Sequence, residues 1–252
     1  EDGIRDSVAS RGLGDVYKRQ RHALAYASTL NLTVFLNSED PWLGSEGIIH
    51  EGTVSTRLGL PGIPAAAELI GLGRDLLLVE ETEARAHFRT LSCARSVKYL
   101  NDARRSGLKV TSDVGIAHLF LCDEDIGRYN TQCHVRPPFR SNRDRARLRK
   151  GLATSQIQAL SSHHEPQDRD AKAAPFSATE PGISGLDTFL PLLLALVNEG
   201  TMDLKRAIAA VTIEPAQILD LDVGAIGVGD IADICIFDPN KNWLMTEATM
   251  RS

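Results

Sequence analysis

The sequence is short of several features that would assign it quickly. Its longest strongly apolar run, Phe189 to Val197, falls well below the roughly 20 residues a bilayer-spanning helix needs, so no transmembrane segment is expected. Its four cysteines, Cys93, Cys122, Cys133 and Cys235, form no CxxC pair. In a chain of 252 residues that argues against a disulfide scaffold and for reduced thiols in a cytoplasmic setting. Strong charge of one sign is absent: the formal net charge is −5, which disfavours a dedicated nucleic-acid binder. No repeat of solenoid period is present. Compositional bias is also missing. With 42% hydrophobic, 24% charged and 5% aromatic residues, collagen-like and wholly disordered classes are excluded.

The stretch Glu1 to Gln20 has eight charged residues, three glycines and no sustained apolar period. It reads as a non-native or disordered leader, resembling translated adapter sequence, with the fold starting near Arg21. Beyond it, hydrophobic periodicity predicts a helix ending at Thr29 and a strand at Leu32–Leu36. It then predicts a helix over Ile63–Glu83 with Ile63, Ala66, Ala67, Ile70, Leu77 and Leu78 on its inner face, and a strand at Arg85–Leu91. A helix over Cys93–Ser106, a strand at Leu108–Val114, a charged helix over Asn142–Lys150 and a strand at Gln156–Ser161 follow. Leu186–Asn198 is apolar on nearly all sides and reads as a buried helix. This alternation indicates βαβ units and a parallel sheet. Gly227–Asp238 alternates instead, predicting a β-hairpin or small sheet. The expected division is a leader over 1–20, an α/β body over 21–220, and a C-terminal β segment and tail over 221–252.

Four blocks carry a family resemblance. They are Leu24-Ala25-Tyr26-Ala27 with Thr33-Val34-Phe35-Leu36-Asn37-Ser38-Glu39-Asp40; Glu51-Gly52 with Arg57-Leu58-Gly59-Leu60-Pro61-Gly62-Ile63-Pro64; His87-Phe88-Arg89-Thr90-Leu91-Ser92-Cys93-Ala94-Arg95-Ser96; and Val135-Arg136-Pro137-Pro138-Phe139-Arg140 with Ser162-His163-His164-Glu165-Pro166. Together they resemble the dihydroorotases of the amidohydrolase superfamily, in order along the chain from about Arg21 to Asp238. The resemblance implies the C-terminal half of a (β/α)₈ TIM-type barrel, plus a β segment belonging to a composite β-sandwich. An N-terminally truncated chain is thereby implied. It also implies the chemistry of pyrimidine synthesis: reversible closure of carbamoyl aspartate to dihydroorotate, with zinc at the C-terminal ends of the strands.

Residue by residue, the resemblance does not carry the site over. The family's ligand histidines fall at Asn37 and Thr90, and its catalytic aspartate at His163. The substrate-pocket asparagine and histidine fall at Arg136 and Gln167. Amide and hydroxyl groups are poor zinc donors, so no metal is expected in this chain. The resemblance is therefore nearest to the non-catalytic dihydroorotase-like subunits that accompany aspartate carbamoyltransferase. A structural or regulatory role beside that enzyme, in an oligomeric assembly without nucleic acid or membrane, is the leading expectation. The alternative is an active zinc dihydroorotase whose remaining ligands lie upstream.

Three local features admit two readings each. His163 could join His87, His118 or Cys133 in a rebuilt metal site, or be a pocket remnant, the preferred reading. Glu39 and Asp40 could be an acid–base pair, but neighbouring side chains diverge, so a helix-start or turn role is preferred. Arg136 to Lys150 holds seven cations: Arg136, Arg140, Arg143, Arg145, Arg147, Arg149 and Lys150. They form either an anion- or partner-binding surface or a solvated helix face, the second being preferred.

Overall fold

The computed structural model describes residues 2–241, 244–246 and 249–251, with side chains from Val16 onward. In chain order the elements are α1 (Asp2–Thr29), β1 (Thr33–Leu36), α2 (Pro41–Gly44), β2 (Ile49–His50), α3 (Thr53–Leu58), β3 (Gly62–Ile63), α4 (Ala65–Thr82), β4 (Arg85–Phe88), α5 (Ala94–Arg105), β5 (Val110–Gly115), α6 (Asn142–Ala153), β6 (Ala159–Ser161), α7 (Arg169–Ala173), α8 (Phe189–Asn198), α9 (Leu204–Ala209) and α10 (Ile213–Leu219).

The central sheet has the order β1-β4-β5-β6, and every pair in it is parallel. Its register sets Leu36 beside Phe88, Phe88 beside Ser112, and Gly115 beside Ser161. All four strands thus end at one rim. β2 and β3 form a separate parallel pair inserted between β1 and α4. The α/β class and parallel sheet therefore match the sequence reading. The main core lies between sheet and helices, around Phe88, Val97, Leu100, Val114, Ile116, Leu148, Leu152 and Leu193. A second cluster, with Ile49, Val54, Ile126, Val135 and Phe139, sits beneath the long loops on the rim side.

Three expectations need correction, and one element crosses an expected boundary: residues 2–20, read as a non-native or disordered leader, are part of α1, which runs unbroken to Thr29. Its C-terminal end is anchored by buried Leu24 and Ala27, and once a helix is nucleated each further residue adds a hydrogen bond. The inner face of α4 is rotated from the expected one. Ile70 and Leu77 are exposed, while Ala67, Glu68, Gly71, Leu72, Asp75 and Val79 are buried. Two of these are carboxylates that bind loops above the sheet, so apolar periodicity could not find that face. α8 buries Leu193 and Leu196 but leaves Pro191 exposed, rather than being enclosed on all sides. Its other side faces Ile236 and Phe237 of the tail across a groove.

The expected β-hairpin in the C-terminal segment does not form among the described residues. Residues 221–241 carry no strand, and Ile226, Val228 and Ile236 are almost fully exposed. Alternation supplies an apolar face, but a strand also needs a neighbour for its N–H and C=O groups. Among the described residues no other strand lies alongside, and only turns close, with Asp230 N donating to Gly227 O and Lys241 N to Asp238 O, both at 3.3 Å.

Candidate functional site

At the rim where β1, β4 and β6 end, a cavity of about 390 Å³ is lined by Asn37, Glu39, Glu68, Arg89, Thr90, Arg136, Arg140, His163 and Glu165, with Pro137 and Pro138 beside them. Four of the five residues singled out from the sequence, Asn37, Thr90, Arg136 and His163, are therefore brought together. Gln167 is not. It lies exposed outside this cavity, where its Nε2 donates to Pro181 O at 2.9 Å.

Each position is fixed by an identifiable contact. Asn37 follows β1 directly, and its neighbour Ser38 donates to buried Asp75 Oδ2 at 2.9 Å. Thr90 lies just past β4 with φ of 48°, a left-handed conformation that a β-branched residue adopts only under constraint. The constraint is Asp113, whose Oδ1 accepts from Thr90 N at 2.9 Å and from Ser161 Oγ at 3.1 Å. Asp113 Oδ2 lies 3.0 Å from His87 Nε2, and His87 Nδ1 lies 2.8 Å from Thr111 Oγ1. One buried carboxylate thus ties β4, β5 and β6 together beneath the rim.

His163 also has positive φ, 45°, and is buried. Its ring lies 5.5 Å from that of fully buried His118. His118 Nε2 lies 3.0 Å from Pro137 O, a contact that makes Nε2 the protonated nitrogen. The Nδ1 atoms of both rings are buried without a hydrogen-bond partner. Burial, reinforced by the neighbouring His163, pushes the His118 pKa down to about 3. Burial lowers that of His163 as well, against the opposing pull of Glu165 and Asp113. Both rings are accordingly neutral at pH 7. The adjacent His164 points elsewhere, as divergence along an extended chain requires: its Nδ1 accepts from Gly185 N and Leu186 N at 3.2 and 3.3 Å.

Gly115 makes room for this pair. A Cβ there would lie 2.9 Å from His163 Cβ and 3.1 Å from His118 Nδ1. Replacing Gly115 with Ala (G115A) is therefore expected to destabilise the fold by about 1–3 kcal/mol through overpacking. Urea unfolding checks this, and an unchanged midpoint would contradict the packing.

A second buried carboxylate supports the floor. Glu68 accepts from Ser92 N, Ser92 Oγ, Cys93 N and Ser96 Oγ, the last two at 3.1 and 2.5 Å, and so satisfies donors at the start of α5. Arg140 is equally committed: Nε donates to Ser92 Oγ at 3.0 Å, and Nη1 to Ile63 O at 2.6 Å and His50 Nδ1 at 3.1 Å. Lys172 secures the loop leading to Arg136, donating to the carbonyls of Thr131, His134 and Glu180.

The basic stretch is mostly spent on structure. Arg145 donates to Phe120 O, Arg147 to Gln156, and Arg149 to Leu119 O and Glu199. Arg143 and Lys150 are exposed. Glu39 and Asp40 diverge as expected. Asp40 caps α2 through Trp42 N and Leu43 N, at 3.1 and 3.0 Å. Glu39 turns to Arg136, meeting Nε at 3.0 Å and Nη2 at 2.6 Å.

The residues at the rim do not fit the zinc that the dihydroorotase resemblance implies. Asn37 and Thr90 offer an amide and a hydroxyl, and the Asp113 carboxylate is already bonded to three partners. Among the described residues no group of three or more His, Cys, Asp or Glu is arranged to hold a metal ion. Asp113 and Glu68 are not singled out by the sequence, whereas His118, named there as a candidate partner of His163 in a rebuilt metal site, does lie beside it. Asp113 carries no distinguishing signal, since it follows the polar residues Thr111 and Ser112.

Comparison with known proteins identifies the family. The model of the Amidohydrolase family matches residues 62–250. A "Dihydroorotase-like protein" of Pseudomonas aeruginosa is 45% identical over 228 residues, covering 90% of this chain and 54% of that protein. A "Dihydroorotase" of Geobacter sp. is 39% identical over 232 residues, covering 92% of this chain and 55% of that one. The chain spans about half the length of the curated relatives it matches. Among solved structures, a D-hydantoinase superposes with a TM-score of 0.77 at 22% identity, over 91% of this chain and 53% of that one. An L-hydantoinase from Arthrobacter aurescens gives 0.74 at 22% identity, over 87% and 50%. At that identity the likeness concerns the fold alone. No helix among the described residues is long and apolar enough to cross a membrane.

Proposed function

Because the chain belongs to the amidohydrolase family, we propose that the protein carrying it is a dihydroorotase-like component of pyrimidine synthesis that does not turn over dihydroorotate. Its role is structural or regulatory, as a partner of aspartate carbamoyltransferase. The observation that carries this reading is the rim itself. Where the resemblance places two ligand histidines and a catalytic aspartate, the chain presents Asn37, Thr90 and a buried, neutral His163. A general base works best with a pKa near the operating pH. His163 is shifted the wrong way, and it brings no anion to the place where the resemblance puts one. The retained cavity, with its strand-end scaffold intact, supports a protein kept for shape and binding.

A second reading is an active zinc dihydroorotase whose remaining ligands lie outside this chain. The 39% identity to the Geobacter "Dihydroorotase" favours it. Turnover separates the two readings. The partner role has its own test: the full-length protein and the aspartate carbamoyltransferase of the same genome, mixed and run by size exclusion with light scattering. Co-elution in one assembly is expected; separate elution at micromolar concentration contradicts the partnership.

A further inference from the structure

We infer that the outward face of α4 is a self-association surface, through which two copies of the chain pack with their α4 helices antiparallel about a two-fold axis. α4 is built the reverse of an ordinary surface helix. Its carboxylates Glu68 and Asp75 are buried, while Ile70 and Leu77 turn outward, 51% and 67% exposed. α1 lies against one flank and α5 against the other, so the face opposite the core is left uncovered among the described residues. Apolar faces of a helix are ordinarily buried, and an apolar stripe bordered by charge, here Arg74, Glu80 and Glu81, marks a contact surface.

The centre of that face carries a regular pattern. Ala66, Ile70, Gly73, Leu77 and Glu80 follow one another at steps of four and three, the spacing of a coiled-coil seam. Large and small residues alternate along it. Gly73 costs the helix about 1 kcal/mol relative to alanine, and nothing packs within 4 Å of where its Cβ would stand, so no contact inside the fold accounts for it.

Antiparallel pairing of the stripe with its own copy uses this alternation. One register sets Ile70 of each chain over Gly73 of the other, and Leu77 over Ala66. Every layer then holds one large and one small residue, and the two-fold relation repeats each contact. The same register brings Glu80 of each chain to the start of the other's α4. That start lacks an acceptor of its own: the N-cap, Pro64, supplies no side-chain cap, and Glu68 is turned inward onto Ser92, Cys93 and Ser96. The Glu80 carboxylate therefore meets free N–H groups and the positive end of the helix dipole. Size and charge are thus both self-complementary, which commits the face to a second copy.

The inference is independent of whether the rim turns over dihydroorotate. Its test is analytical ultracentrifugation of the chain and of outward-face variants. The unsubstituted chain is expected to sediment at micromolar concentration as a dimer of about 55 kDa, twice the chain's 27.4 kDa. Leu77→Glu (L77E) and, separately, Ala66→Lys (A66K) each put a charge into an apolar layer, and each is expected to raise the dissociation constant about a hundredfold. Both positions are exposed, so each variant is expected to keep its cooperative melt. Cooperative melting of either is enough for its sedimentation to decide. An equimolar mixture of folded L77E and A66K is expected to recover the dimer. The register sets position 77 of one chain on position 66 of the other, whereas along a single helix the two lie about 16 Å apart. A monomeric unsubstituted chain, association that the folded variants leave unchanged, or a mixture that stays monomeric overturns the inference. So does a monomer that takes up a different protein on this face.

Discussion

Acidification from pH 7 toward pH 4 is expected to destabilise the folded chain steeply, well before its carboxylates titrate. The cause is a set of histidines held neutral by burial. His118 falls from its ordinary 6.5 to about 3. His50, His134 and His163 are lowered as well, each chiefly by burial. The sign follows from proton uptake. Between the folded and unfolded pKa values the unfolded chain binds more protons, so the stability these groups contribute is complete above about pH 6.5 and declines as pH falls. For His118 alone the slope approaches about 1.4 kcal/mol per pH unit across that window. Asp123 and Glu214, raised by burial, act in the opposite direction, but only near the carboxylate range at the low end. Urea unfolding at pH 7, 6 and 5 measures the slope, and His118→Asn is expected to flatten it. Equal midpoints at pH 7 and pH 5 would contradict the assignment of these rings as neutral and enclosed.

The second large effect is expected from Asp113→Ala. The substitution removes the acceptor shared by His87, Thr90 N and Ser161, leaving buried donors without partners. It also releases Thr90 from the left-handed conformation that Asp113 enforces. Loss of about 3 kcal/mol is expected, in the range for breaking a buried, charge-assisted network. Asp113→Asn keeps one acceptor oxygen and is expected to lose less. Chemical denaturation of both variants checks the ordering. A loss below about 1 kcal/mol for the alanine variant would show that the carboxylate does not organise the rim.

Much of the α/β framework was legible in the sequence, because strand–helix alternation is written in apolar periodicity. Cys93 and Ser106, expected as the ends of one helix, are its caps, with α5 between them. The α4 face was not legible in the same way. Its inner side carries Glu68 and Asp75, whose partners lie in loops far along the chain, and periodicity weighs only apolar residues. The C-terminal alternation was legible as a pattern but not as an outcome, since a strand depends on a neighbour as much as on its own residues. At the rim, the gathering of Asn37, Thr90, Arg136 and His163 came from resemblance rather than spacing. Gln167 lies outside because the chain turns away after Glu165, whose N donates to Ile183 O. The Glu39–Arg136 pair spans 97 positions, a separation at which no local pattern exists.

The most direct test of the central claim is a single assay on the full-length protein: dihydroorotate turnover, with zinc content measured on the same preparation. The account predicts no turnover above background and no stoichiometric zinc, since Asn37, Thr90 and His163 stand where the resemblance places the metal donors and the acid–base group. Steady turnover accompanied by stoichiometric zinc would contradict it.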